Sequence, residues 1–207
     1  MEKRFIIQMG SFLKLMRLRY LELMAEMTTP SVYLDSNQPY NHDVWEKKSK
    51  YLRKIGFNIE KNVAVDAGFQ FIRNSGIKIE EFTTIGRNVK FYNFNDISIG
   101  RFCMIAGETQ LANGTHKIDS FVPESGILRI GHGVWIGHGA KIIGIDIEIG
   151  NNAVIGAGSL VLKSVEANAI MAGVPAKQIG VRAPTKSVWH IGNTWFSSET
   201  FTQIMCT

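Results

Sequence analysis

The sequence has little cysteine and no long apolar run. Its two cysteines, Cys103 and Cys206, are too few and too isolated for a disulfide framework or a zinc site, so we expect reduced thiols in a cytoplasmic protein. Charged side chains recur throughout residues 1–27, so we expect neither a secretory signal nor a membrane span there. The rest of the composition, 45% hydrophobic and 20% charged over 207 residues, is that of an ordinary one-domain globular protein.

The overall charge is modestly positive, with a formal net charge of +5. Such a balance is compatible with nucleic acid, an anionic membrane surface or a polyanionic small molecule as a partner. The sequence contains neither a known nucleic-acid-binding module nor a basic stripe interleaved with aromatic residues. A nucleic-acid partner is therefore not expected.

Residues 130–161 contain a repeat of six residues, which governs the interpretation of the whole chain. An aliphatic residue recurs at Ile130, Ile136 and Ile142, and after one extra residue the series continues at Ile149. Most of these aliphatic residues are followed by glycine. A period of six fits neither a helix nor a simple alternating strand. It fits a short strand plus a tight corner, three of which would close one triangular coil of about eighteen residues.

The same period extends toward the N-terminus with small shifts of register. Steps of six run through 59–77, 79–97 and 99–111, with two extra residues between successive series. We expect the aliphatic residues to point into a prism and to stack one coil above another. The following glycine fits a corner that leaves little room for a Cβ. The predicted inward residues are Ile59, Val65, Phe71, Ile77, Ile79, Ile85, Phe91, Ile97, Ile99, Ile105, Leu111, Ile130, Ile136, Ile142, Ile149, Ile155 and Val161, with aromatic side chains filling a wider beginning.

The pattern of an aliphatic residue, glycine, two variable residues and a small residue resembles the hexapeptide-repeat acyltransferases. The resemblance covers roughly residues 57–180 and implies an all-β fold, a left-handed parallel β-helix. It also implies a homotrimer with active sites between subunits. Within this family, the sequence is similar to the galactoside, maltose and nodulation O-acetyltransferases and to the xenobiotic acetyltransferases.

Segments outside the repeat divide the chain further. We expect residues 1–56 to form an N-terminal helical cap and connector, and residues 181–207 to form a C-terminal tail. Apolar residues within 1–27 recur at spacings of three and four, which predicts an amphipathic helix with basic residues on it. That helix either covers the open end of the β-helix, which we favour, or makes a peripheral contact with an anionic membrane.

The repeat is interrupted at residues 112–128 by a polar, irregular loop excursion that carries His116. An imidazole can take a proton from an attacking hydroxyl and pass it to a departing thiolate. The string NGTHKIDSF resembles the segment around the catalytic histidine of the related acetyltransferases, so we predict that His116 is the general base. A carboxylate that orients its second nitrogen would be Asp119 or Glu124, and the sequence does not choose between them.

Acetyl-CoA is the co-substrate that the resemblance implies, with its site near the C-terminal end of the repeat. A pantetheine arm needs exposed backbone donors and little side-chain bulk, and its phosphates need fixed positive charge. The resemblance assigns the basic residues, and His138 stands where the galactoside enzyme has serine. The predicted binding residues are Gly137, His138, Ala157, Ser159, Lys163, Lys177 and Arg182.

Two further residues are candidates for the acceptor site. Asn93, in the string FYNFND, resembles a sugar-binding asparagine of the galactoside enzyme, although it stands fewer residues before the histidine. Trp135, in the string VWIG that the family shares, would either form a wall of the acceptor pocket or be buried in a trimer seam.

His132 and His138 do not predict a metal site. They lie six residues apart, on adjacent sides of one coil, and a side of five extended residues spans about 16 Å. Two ligands of one ion must lie far closer than that. The three-histidine arrangement of the γ-class carbonic anhydrases, with two histidines close together on one loop, is also missing. We therefore expect no metal.

The sequence thus predicts an acetyl-CoA-dependent O-acetyltransferase that acts on a sugar, in a surface polysaccharide or its precursor, by direct transfer in a ternary complex. The alternatives are a xenobiotic acetyltransferase acting on an antibiotic hydroxyl and an amino-sugar N-acetyltransferase. Two further alternatives come from other classes. A metal-dependent hydratase is disfavoured by the histidine spacing, and a non-catalytic β-helix assembly subunit would leave His116 without a role.

Overall fold

The computed structural model describes residues 42–183 together with strands Trp189–Ile191 and Thr194–Phe196. The predicted helix within residues 1–27 lies outside these described residues. Helix α1 spans His42–Lys54. The strands are β1 (Asn58–Ile59), β2 (Ala64–Val65), β3 (Gln70–Phe71), β4 (Ile77–Ile79), β5 (Thr84–Ile85), β6 (Lys90–Tyr92), β7 (Ile97–Ile99), β8 (Met104–Ile105), β9 (Gln110–Ala112), β10 (Gly114–His116), β11 (Pro123–Ser125), β12 (Leu128–Ile130), β13 (Trp135–Ile136), β14 (Lys141–Ile143), β15 (Ile147–Ile149), β16 (Val154–Ile155), β17 (Leu160–Val161), β18 (Ala169–Gly173), β19 (Ala176–Val181), β20 (Trp189–Ile191) and β21 (Thr194–Phe196).

Three sheets form the sides of a triangular prism, and the chain visits them in turn. Side A contains β1, β4, β7, β12 and β15; side B contains β2, β5, β8, β13, β16 and β18, with β19 antiparallel at its edge; side C contains β3, β6, β9, β14 and β17. The register stacks Val65 on Ile85, and Ile85 on Ile105, in parallel strands of successive coils. The predicted parallel β-helix is therefore confirmed.

The core consists of the aliphatic residues that the hexad pattern points inward. All of the predicted inward residues are buried except Phe71, which is half-buried and packs on the core. The ring of Phe71 lies 4.7 Å from that of Phe57, and the rings of Phe69 and Phe91 lie 5.0 Å apart, so aromatic side chains do fill the first coils. The first coils contain twenty residues instead of eighteen, since Ile59 pairs with Ile79 and Ile79 with Ile99, in agreement with the two-residue shifts in the hexad series.

The glycines that follow inward aliphatic residues are required by the close approach of the next coil. A Cβ at Gly137 would lie 2.5 Å from the amide nitrogen of Ala157, and a Cβ at Gly150 would lie 2.4 Å from that of Ala167. Both contacts are with backbone atoms, which cannot move aside without breaking the stacking. Positive φ values fall at other corner positions, such as Gly139 at +67°.

We expect Gly150→Ala to lower the free energy of unfolding by about 2–3 kcal/mol, because the added Cβ would overlap the backbone of the next coil. Gly139→Ala is the matched control. Its Cβ would meet no atom within 4 Å, so only the positive φ opposes it, at a cost of about 1 kcal/mol. Urea unfolding followed by circular dichroism measures both. Equal losses for the two variants would contradict the close-approach explanation.

Helix α1 covers the open end of the first coil. The backbone N–H groups of β2 donate to carbonyls of the second coil. The carbonyls of the first coil therefore face the end of the prism, where no preceding strand supplies N–H donors for them. Side chains of α1 donate to them instead: Ser49 Oγ to the Val63 carbonyl at 2.6 Å, and the Lys48 ammonium to the Asp66 carbonyl. Leu52, on the same helix, is buried against the core. Helix α1, which lies within the segment 1–56 predicted as a helical cap and connector, thus covers this end of the prism.

No helix in the described part of the chain is both long enough and apolar enough to span a membrane.

Candidate active site

The excursion at residues 112–128 is a β-hairpin that leaves the prism at the corner between sides C and A, which we call corner CA. Strands β10 and β11 pair antiparallel, with His116 opposite Pro123 and Thr115 opposite Glu124. The sequence predicted an irregular loop here, and the paired ribbon is a more rigid mount for a side chain. Corner CA therefore carries the candidate base on regular secondary structure.

Asn113 fastens the root of the hairpin to the prism. Its buried side chain donates to the Asp96 carbonyl at 3.0 Å and accepts from the Asn95 amide at 3.2 Å. Its own carbonyl accepts from the Gly126 amide at 3.0 Å, which closes the ribbon at its root. Asn113 was not among the site residues predicted from the sequence. The signal was its spacing of twenty residues from Asn93, which occupies the equivalent corner one coil earlier.

His116 is exposed near the end of β10 and borders a cleft of about 570 Å³ formed by the hairpin. Successive residues of a strand point to opposite faces, and directly paired residues share a face. Glu124 pairs with Thr115, so its carboxylate lies on the face opposite to the imidazole. There it forms an ion pair with Lys117 at 3.3 Å. Glu124 thus braces the ribbon, and it borders the same cleft as His116.

Asp119, the other candidate orienting carboxylate, lies in the turn of the hairpin. Its Oδ1 accepts a hydrogen bond from the Ser120 hydroxyl at 3.0 Å. Among the described residues, neither Asp119 nor Glu124 forms a hydrogen bond with His116. The isolated chain therefore offers the imidazole no carboxylate partner in this part of the structure.

The predicted pantetheine channel follows the corner between sides B and C, corner BC. His138 and Ala157 are exposed there on successive coils, next to Gly139 and Gly158, around whose missing side chains the surface is open. Lys177 pairs with Ala172 at the same corner, one coil further along. The structure thus brings a low-bulk groove and a lysine together along one line, as a long thioester arm requires.

Two members of the predicted channel contribute through the backbone. Gly137 is buried where the corner begins, and its N–H donates to the Ile155 carbonyl at 2.7 Å. The Ser159 side chain is buried, and its hydroxyl accepts from the Gly173 amide at 3.2 Å. Their side of the groove is therefore formed by main-chain atoms.

Two basic residues predicted to bind coenzyme phosphates lie away from this line. Lys163 is exposed just after β17, at corner CA. Arg182 lies at the corner between sides A and B, where its guanidinium donates to the Gly133 carbonyl at 2.8 Å and to the Asn152 carbonyl at 3.3 Å. Burial of the guanidinium lowers its pKa from the ordinary arginine value. Within one chain, Arg182 fastens β19 to the prism.

Asn93 has a structural role instead of the predicted contact with a sugar. Its side chain is buried, and its oxygen accepts from the amides of Ile72 and Arg73 at 3.1 and 3.2 Å. Its nitrogen donates to the carbonyls of Arg73 and Ser75 at 2.8 and 3.2 Å. All four hydrogen-bonding positions of the amide are occupied. Asn93 holds its corner together and has none left for a ligand.

Trp135 points outward from side B and is 47% exposed. It pairs with Met104 on one neighbouring strand, which is also exposed, and with Val154 on the other. These three residues form an outward apolar row across side B. The row is compatible with both predicted roles of Trp135, a pocket wall and a subunit seam.

The remaining candidates for metal or covalent chemistry are occupied in other ways. His132 Nδ1 accepts a hydrogen bond from the Arg101 amide at 3.0 Å, which commits that nitrogen to a corner. Cys103 is buried with its thiol 3.0 Å from the Gly131 carbonyl, and burial raises the pKa of this thiol to about 12. A thiol with such a high pKa remains protonated and is a poor nucleophile. No group of three potential metal ligands occurs within the described residues.

These features define a parallel β-helix protein of the hexapeptide-repeat class. No family model matches the sequence. Galactoside O-acetyltransferase of Escherichia coli (strain K12) is 32% identical over 147 residues, which covers 65% of this chain and 68% of that protein. The chain belongs to the hexapeptide-repeat acetyltransferases.

Solved structures agree with this assignment. A maltose O-acetyltransferase from Clostridium difficile 630 superposes with a TM-score of 0.63 at 25% identity, covering 83% of this chain and 89% of the other. A galactoside acetyltransferase solved in complex with coenzyme A superposes with a TM-score of 0.63 at 23% identity, covering 88% and 87%. The second likeness concerns the fold alone.

Proposed function

We propose that the protein transfers the acetyl group of acetyl-CoA to a hydroxyl of a sugar or of a saccharide acceptor. The observation that carries the proposal is the exposed imidazole of His116, held on a paired hairpin of an acetyltransferase scaffold. The relatives named above act on galactosides and on maltose, and one of the solved neighbours binds coenzyme A. Their shared chemistry supports a saccharide acceptor and a coenzyme A thioester as donor.

In the proposed reaction, His116 removes the proton from the acceptor hydroxyl as its oxygen attacks the thioester carbonyl carbon. The C–S bond then breaks, and the departing thiolate takes the proton from the imidazolium. The products are the acetyl ester and free coenzyme A. Cys103 supports direct transfer, because its buried, protonated thiol is unsuited to form an acyl-enzyme.

The separation of the two half-sites supports a homotrimer with active sites between subunits. His116 rises from corner CA, whereas the groove beside His138 and Lys177 follows corner BC, and side C lies between them. A side of the prism spans about 16 Å, too far for proton transfer. The base of one subunit and the groove of its neighbour would therefore form each site. An orienting group for His116, and Lys163 as a phosphate ligand, would then act across the same cleft.

The proposal is tested by measuring thiol release from acetyl-CoA against a panel of galactosides, maltosides, amino sugars and antibiotic alcohols. We expect turnover with neutral saccharide hydroxyls, and mass spectrometry should find one added acetyl ester. Transfer only to an amine, or only to antibiotics, would replace the saccharide O-acetyltransferase with one of its alternatives. No transfer to any acceptor would contradict the proposal.

A further inference from the structure

Side A carries a polar groove that the proposed reaction does not use. The groove has a volume of about 370 Å³ and crosses four coils next to the root of the hairpin. Its lining includes the outward side chains of β1, β4, β7 and β12, which stack in register as Asn58, Lys78, Ser98 and Arg129. Neighbouring strands lie about 4.8 Å apart, so Lys78 and Arg129 flank the small Ser98 at about 10 Å.

The cations of this groove are positioned to receive an anion. Lys78 Nζ is held by Glu80 Oε1 at 2.6 Å, and this hydrogen bond raises the pKa of Lys78. An ammonium group has three donors, so two remain available. Arg129 is exposed and forms no ion pair with any residue in the described part of the chain. Glu148 stands beside Arg129 on the neighbouring strand β15, and within the described residues the two form no ion pair either.

The distribution of charge fixes where an anion would bind. Asp96 lines the groove at its corner end, and it would repel an anion there. The other end is lined by Ser98, Lys78 and Arg129, so a hydroxyl donor and two cations border it. Glu80 stands beside Lys78 and Glu148 beside Arg129, on the outer sides of this pair. A guanidinium can bind a carboxylate or sulfate through two parallel hydrogen bonds. The groove thus presents the chemistry of an anion subsite flanked by sugar-compatible amide and hydroxyl groups.

The groove also lies within reach of the hairpin. Ile127 lines it and continues directly from β11, whose Pro123 pairs with His116. The six residues from Pro123 to Arg129 span at most about 20 Å. An acceptor of several sugar units could therefore contact Arg129 while one of its hydroxyls is near the imidazole.

We propose that this groove is a subsite for an acidic sugar unit of an extended saccharide acceptor, bound through its carboxylate or sulfate group by Arg129 and Lys78. The inference rests on the proposed function for its biological meaning and on the groove for its chemistry. It adds anionic oligosaccharides and polysaccharides to the proposed acceptors, with the acidic unit increasing the affinity for a chain whose hydroxyl is acetylated.

Isothermal titration calorimetry of the full chain, without acetyl-CoA, tests the subsite directly. The probes are an oligogalacturonate, its neutral methyl ester, and a sulfated oligosaccharide with its unsulfated counterpart. We expect at least one anionic probe to bind at least about tenfold more tightly than its neutral partner. Arg129→Gln should remove that advantage and leave the neutral probe unaffected. Lys141→Gln, which removes one exposed positive charge from side C, is the matched control and should keep the advantage.

Equal binding of charged and neutral probes, or equal losses in Arg129→Gln and Lys141→Gln, would overturn the subsite. Acetyl transfer to a short neutral sugar, measured in the same Arg129→Gln protein, separates this result from a failure of the proposed function. Charge-dependent binding without any acetyl transfer would leave the subsite standing and contradict the transferase proposal. Acetyl transfer without charge-dependent binding would contradict the subsite and leave the transferase proposal standing.

Discussion

His116→Ala will lower turnover of acetyl-CoA with a saccharide acceptor by at least about a hundredfold. General base catalysis contributes on the order of a hundred- to ten-thousandfold, and no other imidazole lies on the described hairpin to replace it. The affinity for coenzyme A should change little, because the predicted coenzyme channel is formed at corner BC, whereas the imidazole from corner CA is proposed to act on the acceptor hydroxyl. Steady-state kinetics and calorimetric titration with coenzyme A measure the two quantities separately.

Ser120→Ala is the matched control, because it changes the same hairpin at a residue that we assign no part in the reaction. It should retain turnover close to that of the parent protein. Normal turnover in His116→Ala would remove the assigned base. An equal fall in both variants would show that the hairpin tolerates no change, and would leave no special role for the imidazole.

Lys48→Ala will destabilise the protein by about 3–5 kcal/mol. The side chain is only 1% exposed and donates to the carbonyl of Asp66, whose own carboxylate is buried with one oxygen unpartnered. Removing the lysine side chain leaves the Asp66 carbonyl without its hydrogen-bond donor and leaves a cavity where the lysine methylene groups lay. Urea unfolding followed by circular dichroism gives the loss directly.

Lys50→Ala is the comparison, since Lys50 is exposed on the same helix two residues away. It should cost well under 1 kcal/mol, because exposed helix positions tolerate alanine. Lys48→Met retains the apolar stem and should recover part of the loss. If Lys48→Ala and Lys50→Ala proved equally mild, the capping role of α1 would be wrong.

The stacked core could be predicted from sequence because its rule is local and repeated. An aliphatic residue every six positions specifies which side chains point inward, and the two-residue shifts near Ile79 and Ile99 marked where the corners are longer. The hairpin was missed as regular structure, because GTH and PES lack the alternation and turn residues that mark a short ribbon. The sequence predicted only that the chain leaves the prism here, because the six-residue repeat is interrupted at residues 112–128.

The engagement of individual polar side chains could not be predicted, because it depends on contacts distant in sequence. Arg182 donates to carbonyls 49 and 30 residues away, and the Asn93 amide is occupied by the preceding coil. The face occupied by Glu124 followed from ribbon register, which a gap in the repeat does not reveal. For the same reason, the resemblance could point to His116 as a candidate base but could not predict which residues contact it.

The insertion of the hairpin leaves the stacking on either side unchanged. Ile99 pairs with Ile130 across it in the same parallel register that Ile79 makes with Ile99. The ribbon can consequently be lengthened, shortened or exchanged without altering how either adjoining coil is built. A lineage could therefore change the proposed acceptor side at corner CA while the predicted thioester groove at corner BC is inherited intact.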